Sequence, residues 1–210
     1  MSADTTSTSV WRSTLTLVAF AVLATAIVAT TWVATRERIA QNQEAARLAE
    51  FAAVLGSVAF DTLNIDAPQT IASPHTLPGT APVQMFTAKR AGQPVAWVFN
   101  VQAQGYGGPI DLMIGITHEV TVSGVRVIAH TETPGLGDDI ERERSDWIES
   151  FDGMRWRGDT DQRWALKSAG GVFDSFTGAS ITPRAVVQAV ATTVRWTQRH
   201  QETLLAGELP

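Results

Sequence analysis

The chain has 210 residues, 21 acidic and 16 basic side chains, a formal charge of −5 and no cysteine. It is long enough for one membrane segment and one domain with its own core. The composition excludes disulfides, thiolate metal sites and thiol nucleophiles, and the scattered arginines, with only Lys89 and Lys167 beside them, do not make the basic stripe of a nucleic-acid binder.

No charge interrupts the chain between Arg12 and Arg36. That stretch, residues 14–35 after a short tail at 1–13, is about 22 residues or roughly 33 Å as a helix, the thickness of a bilayer core. Trp11 and Trp32 fall near its ends, where indoles favour the interface, and Arg12, Arg36 and Arg38 can reach headgroups. The run passes straight into Arg36-Glu37-Arg38 without a small-residue cleavage site, so a retained single-pass anchor is expected rather than a cleaved signal. Arg36, Arg38 and Arg47 beyond the span outnumber Arg12 before it, a small excess that by the positive-inside rule points the domain to the cytoplasm.

From Arg36 to about Phe60, Ala45, Leu48, Ala49, Ala52, Leu55 and Val58 recur at helical spacing, with Gly56 near the end. Pro68, Pro74, Pro78, Gly79 and Pro82 make the following segment an extended connection, so residues 36–82 are expected to join anchor to domain. The domain itself is expected over 83–200. Val83–Lys89 and Val95–Val101 read as strands around the hairpin Ala91-Gly92-Gln93-Pro94, and Gly105-Tyr106-Gly107-Gly108-Pro109 is a turn. Ile110–Ile116 and Val120–Ile128 form a second strand pair. Asp138–Phe151 is expected to be helical, with Asp138-Asp139 and Glu141-Glu143 on a solvated face, and Trp164–Lys167 to be a short strand. Thr182 is the expected N-cap of a last helix with Pro183 in its first position and Val186, Val187, Val190 and Val194 on one face. Residues after Gln198, and 201–210 in particular, are expected to fray. The fold class is α+β on a single transmembrane helix. His75, His118, His130 and His200 are too far apart in sequence to suggest a metal site.

Three clusters carry chemistry. In Asp174-Ser175-Phe176-Thr177-Gly178-Ala179-Ser180-Ile181-Thr182-Pro183, small residues open the main chain just before a helix start, whose unpaired amides and dipole favour an anion. A phosphate held or esterified at Ser180 and a plain helix cap both fit this decapeptide. Glu132-Thr133-Pro134-Gly135-Leu136-Gly137-Asp138 reads either as a tight loop with amides free for a ligand or as an ordinary strand-to-helix turn. Lys167, just upstream, is either a solvated cation or the balance for a phosphate or an electron-rich ring.

Taken together, Gly105-Tyr106-Gly107-Gly108-Pro109-Ile110, His130 through Asp138, Ser145-Asp146-Trp147-Ile148 and Asp174 through Val187 resemble the G subunit of the Rnf (Rsx) ion-translocating electron-transport complex. The resemblance to the C subunit of the sodium-pumping NADH:quinone reductase is more distant. The Rnf family implies an FMN-binding domain on the periplasmic side of the bacterial inner membrane. There a flavin transferase esterifies FMN, through its phosphate, to the hydroxyl closing the [ST]-G-A-[TS] motif. That position is Ser180, where the family usually has threonine, with Asp174 opening the transferase-recognition motif. Thr177, Gly178, Ala179, Thr182, Glu132, Thr133, Gly135, Leu136 and Lys167 are the expected cofactor contacts. The family also implies partner subunits that pass electrons between ferredoxin and NAD and couple them to ion movement, because this chain has neither iron–sulfur cysteines nor a dinucleotide fingerprint. The competing readings are the sodium pump's C subunit and a flavin-free, membrane-anchored scaffold.

Overall fold

The computed structural model describes residues 4–72, 77–79, 82–158 and 161–209; Pro74 and His75 lie outside them. The chain divides into two units, residues 1–49 and 50–210.

In the first unit, helix α1 begins at Asp4 and runs on to Leu55 in the second. Its segment Thr14–Arg36 has a mean hydropathy of 2.2 and is long and apolar enough to cross a membrane. The threonines within it do not spoil that character. Thr25, Thr30 and Thr31 donate to the carbonyls of Ala21, Ala26 and Ile27 at 2.8, 2.6 and 2.8 Å, so their hydroxyls are satisfied inside the helix. The Arg36 guanidinium lies 5.5 Å over the Trp32 ring.

The second unit is a six-stranded antiparallel sheet in the order β1-β3-β4-β5-β6, with β2 also on β3. The strands are β1 Thr62–Leu63, β2 Gln69–Ile71, β3 Val83–Arg90, β4 Gln93–Gln104, β5 Pro109–Thr117 and β6 Val122–His130. Alternation along β4 sorts the core. Trp97, Phe99, Val101 and Ala103 join the larger cluster with Ile110, Leu112, Ile114 and Ile116 of β5, whereas Ala96 and Val98 join Phe86, Ala88 and Met113. Helix α2, Ile181–Arg199, supplies Val186, Val187, Val190 and Val194 to the larger cluster. The end of α1, with Phe51, Val54 and Leu55, is built into the smaller one.

Two glycines allow that second packing. A Cβ on Gly115 would stand 2.6 Å from the Val54 carbonyl oxygen, and one on Gly124 would stand 2.7 Å from it. Ser123 Oγ donates to the same carbonyl at 2.8 Å. Gly124→Ala is therefore expected to destabilise the protein by about 1–3 kcal/mol, the usual penalty of overpacking against backbone; chemical denaturation of the detergent-solubilised protein checks it.

Several elements differ from expectation. The connection before Val83 is not all loop, since β1 and β2 pair with β3. Asp138–Phe151 is not one helix but two 3₁₀ turns, Asp138–Ile140 and Asp146–Phe151. Side chains there compete for the backbone: Ser145 accepts from the Trp147 amide at 3.2 Å and donates to the Asp139 carbonyl at 2.7 Å. Nor is its acidic face wholly solvated, because Asp138 is buried and Glu141 is paired with His130. Trp164–Lys167 forms no strand, only a bridge from Leu166 to Phe173, and Lys167–Ala169 is a 3₁₀ turn. Beyond Arg199 the chain does not fray at once; Gln201–Leu205 forms α3 and buries Leu204.

Arg163 donates to Asp161 at 2.8 and 2.6 Å, and these hydrogen bonds lower the Asp161 pKa to about 2. A folded-state pKa below the ordinary value of about 3.9 stabilises the fold above that value and ceases to as pH falls towards 2. Asp161→Asn is expected to lower stability at pH 7 by on the order of 1 kcal/mol. The gap to wild type should close between about pH 4 and pH 2 in denaturation measured across pH.

Candidate functional site

Three loops meet at the N-terminus of α2: the β4–β5 turn, the segment after β6 and the turn before α2. Between them lies an open cavity of about 280 Å³, lined by Tyr106, Glu132, Thr133, Leu136, Gly137, Gly178, Ala179, Ser180, Ile181 and Thr182.

The turn before α2 is closed by the Ala179 amide donating to the Phe176 carbonyl at 3.2 Å. Gly178 takes the left-handed position at φ +80°, which other residues adopt only with strain. Nothing lies closer to a Cβ built there than Leu136 Cδ2 at 3.8 Å, so the turn faces open space. Ser180 follows as the N-cap of α2, exposed, with no capping bond from its side chain. The expected cap, Thr182, is instead inside the first turn. It is fully buried and donates its hydroxyl to Glu132 Oε2. The helix starts at Ile181, two residues earlier than expected, so Pro183 falls third, where its missing N–H still has no partner to lose.

Glu132 ties the three loops together. It is 5 % exposed; besides the Thr182 hydroxyl its carboxylate accepts the Gly107 amide at 2.9 Å. Gly137 leaves it room, since a Cβ there would come within 2.9 Å of Glu132 Cβ, and a Cβ on Gly105 would overlap the carboxylate outright. The Glu132 amide donates to His130 Nδ1 at 3.0 Å, so the ring proton sits on Nε2, which donates to Glu141 at 2.7 Å.

The Pro-Gly-Leu-Gly loop differs from expectation. Its amides are not free: Leu136 and Gly137 donate to the Thr133 carbonyl at 3.1 and 3.0 Å, and Gly135 donates to Asp138 at 2.6 Å. Asp138, buried, thus holds the loop from the helical side. The loop offers the cavity the exposed Leu136 side chain and Thr133, while the amides available to an anion are those of the first turn of α2.

Of the expected site residues, Ser180, Gly178, Ala179, Thr182, Glu132, Thr133 and Leu136 line the cavity. Thr177 and Gly135 sit in the flanking turns without lining it. Lys167 and Asp174 stand apart, paired with each other at 2.7 Å and both exposed. Gly137, from the loop that carries Leu136, lines the cavity as well, and so do Tyr106 and Ile181, which are not among the expected contacts; the Gly-Tyr-Gly-Gly turn is the sequence signal for Tyr106.

The arrangement suits a phosphorylated planar cofactor. It has an exposed hydroxyl at a helix N-terminus, a Gly178 backbone that faces open space, and exposed apolar side chains in Tyr106, Leu136 and Ile181. At about 280 Å³ it lies just below the usual range of ligand cavities, as fits a group held at one end and partly open to solvent.

The sequence comparisons with known proteins agree. The FMN-binding domain profile matches residues 105–195, and the RnfG N-terminal region profile matches residues 1–54. The chain is 39% identical to the G subunit of the ion-translocating oxidoreductase complex of Pseudoalteromonas atlantica, over 93% of this chain and 92% of that one. It is also 39% identical to the corresponding protein of Pseudomonas aeruginosa, over 95% and 94% of the two chains. The crystal structure of Shewanella oneidensis NqrC superposes with a TM-score of 0.48 at 22% identity, covering 68% of this chain and 71% of that one. With the cavity framed by residues of the matched FMN-binding domain, the chain belongs to the RnfG family, the G subunits of ion-translocating oxidoreductase complexes.

Proposed function

We propose that Ser180 carries FMN as a phosphoester, attached by a flavin transferase, and that the protein relays electrons within an Rnf-type complex coupling ferredoxin and NAD to ion translocation. The observation that carries this reading is the contrast between two neighbouring hydroxyls. Ser180 is exposed at the cavity mouth with no capping bond, whereas Thr182 is fully buried and committed to Glu132. Of the two, only Ser180 can be reached by an enzyme that must bring a phosphoanhydride to it.

Each group then has a task. The first-turn amides and the positive end of α2 stabilise the ester phosphate. Leu136, Tyr106 and Ile181 offer apolar surface to a ring, and Glu132 fixes the loops that frame it. Bound FMN supplies one- and two-electron transfer, for which the chain has no group of its own. We place the domain on the periplasmic side, α1 serving as the membrane anchor over residues 14–35, with 83–200 as the flavin domain. A covalent link suits that compartment, where a dissociated cofactor would be lost. Other subunits of the complex are the electron donor and acceptor.

The test is to co-express the full chain with a flavin transferase, denature it, look for flavin fluorescence on a gel and map the modified peptide by mass. FMN on the peptide containing Ser180 is the expected result. A dark band, with the transferase shown active on another substrate, sinks the reading in favour of a flavin-free scaffold.

A further inference from the structure

Glu132 poses a charge problem that the cofactor makes sharper. A carboxylate that is 5 % exposed keeps its charge only where cations, donors or dipoles support it. Among the described residues, no lysine, arginine or histidine nitrogen lies within 4.0 Å of either oxygen. Support comes from the Gly107 amide on Oε1 at 2.9 Å, the Thr182 hydroxyl on Oε2 and the positive end of α2. The ionisable groups on the surrounding elements are Tyr106 in the β4–β5 turn, His130 at the end of β6, Asp138, Asp139 and Glu141 beyond the loop with Arg144 paired to Asp138 and Glu141, and the exposed Arg184 on the first turn of α2. His130 has both ring nitrogens engaged, by the Glu132 amide and by Glu141.

The two partners of the carboxylate differ in kind. An amide can only donate, so Oε1 accepts whether or not the acid is protonated. A hydroxyl can donate or accept. Oε2 can therefore gain a proton with no heavy atom moving, the Thr182 hydroxyl turning from donor to acceptor. The helix end that steadies Glu132 is also the one on which Ser180 stands, so an ester phosphate there, and electrons arriving nearby, add negative charge to the same dipole.

From this we infer that Glu132 takes up a proton when the flavin is reduced: two electrons are accompanied by one proton on the ring and one on Glu132 Oε2. The electrons come from a one-electron donor centre in another protein of the complex and both protons from solvent. The inference rests on the covalent-flavin reading above.

Redox-induced infrared difference spectra test it, on the full-length flavin-loaded protein in detergent, reduced at an electrode, with and without carbon-13 glutamate. Reduction is expected to raise a protonated-carboxyl band that shifts with the label and is lost in Glu132→Gln. Glutamine keeps the shape, its carbonyl accepting from Gly107 and its amide donating to Thr182. The flavin potential of Glu132→Gln is expected to lie higher at neutral pH and to depend less on pH than that of wild type. Should Glu132→Gln not accumulate, Thr182→Val takes its place, and the labelled band is expected to move to the frequency of a less strongly bonded acid. Flavin on Ser180 with no labelled band, or a band unaltered in the variants, overturns the role of Glu132 alone. A sample whose mass shows no flavin on Ser180 overturns the covalent reading and, with it, the charge argument.

Discussion

Ser180→Ala, co-expressed with the transferase, is expected to lose the flavin completely and to keep its fold. Ser→Ala at a helix N-cap ordinarily lowers stability by about 1 kcal/mol through the lost capping bond. Ser180 makes no such bond and is exposed, so the change is expected to stay within about 0.5 kcal/mol, the range of ordinary surface substitutions. Ser180→Thr is expected to stay flavinylated, since it restores a nucleophile at the same position with one added methyl. Thr182→Ala should do the reverse of Ser180→Ala. It keeps the flavin but loses about 1–3 kcal/mol, because Glu132 Oε2 is left buried without its donor. Flavin mass and thermal melting of the three variants check the set. Flavin persisting in Ser180→Ala, mapped to Thr177 or Thr182, would move the attachment point and sink the assignment made from exposure.

What could be read beforehand follows from which forces are local. The near-continuous apolar runs Val95–Val101 and Ile110–Ile116, and the shorter one in Val83–Lys89, are what a sheet with a core on each face requires, and each of these runs lies in a strand. Strands of two and three residues such as β1 and β2 carry no period at all; they exist because β3 offers them an edge. The site clusters were legible as small-residue loops ahead of helical turns, but the partners of each polar group were not. Thr182 reads as a cap by local preference, and a buried glutamate 50 residues away in sequence claims its hydroxyl. The Pro134-Gly135-Leu136-Gly137 amides look free in sequence, yet Thr133 and Asp138 use them within the loop. Lys167 lies close in sequence to the attachment turn, and its position could not reveal that Asp174 would pair with it.

Trp147→Ala is expected to cut flavinylation strongly as well as stability. The indole N–H donates to the Asp174 carbonyl at 2.9 Å, and the ring stands edge-on to Phe176 at 5.1 Å and to Phe151 at 5.5 Å. Trp147 thus grips both ends of the stretch that leads into the Phe176–Ala179 turn, and it is the second 3₁₀ turn, capped by Ser145, that presents it. Truncating this half-buried ring should lower stability by about 2–4 kcal/mol, somewhat less than for a fully buried tryptophan. Trp147→Phe keeps the ring contacts and gives up one hydrogen bond to an exposed residue, so a loss of about 1 kcal/mol is expected. The decisive comparison is with Asp174→Asn, which leaves the main-chain carbonyl in place and removes only the carboxylate that faces Lys167. If the transferase reads the loop through its shape, Trp147→Phe should be modified nearly as fast as wild type, and Trp147→Ala slowly even at temperatures where it is fully folded. If it reads the acidic side chain, Asp174→Asn should raise the transferase KM with little change in melting temperature. Equal modification rates in Trp147→Ala and wild type, both folded, would show that the turn holds its shape without the indole.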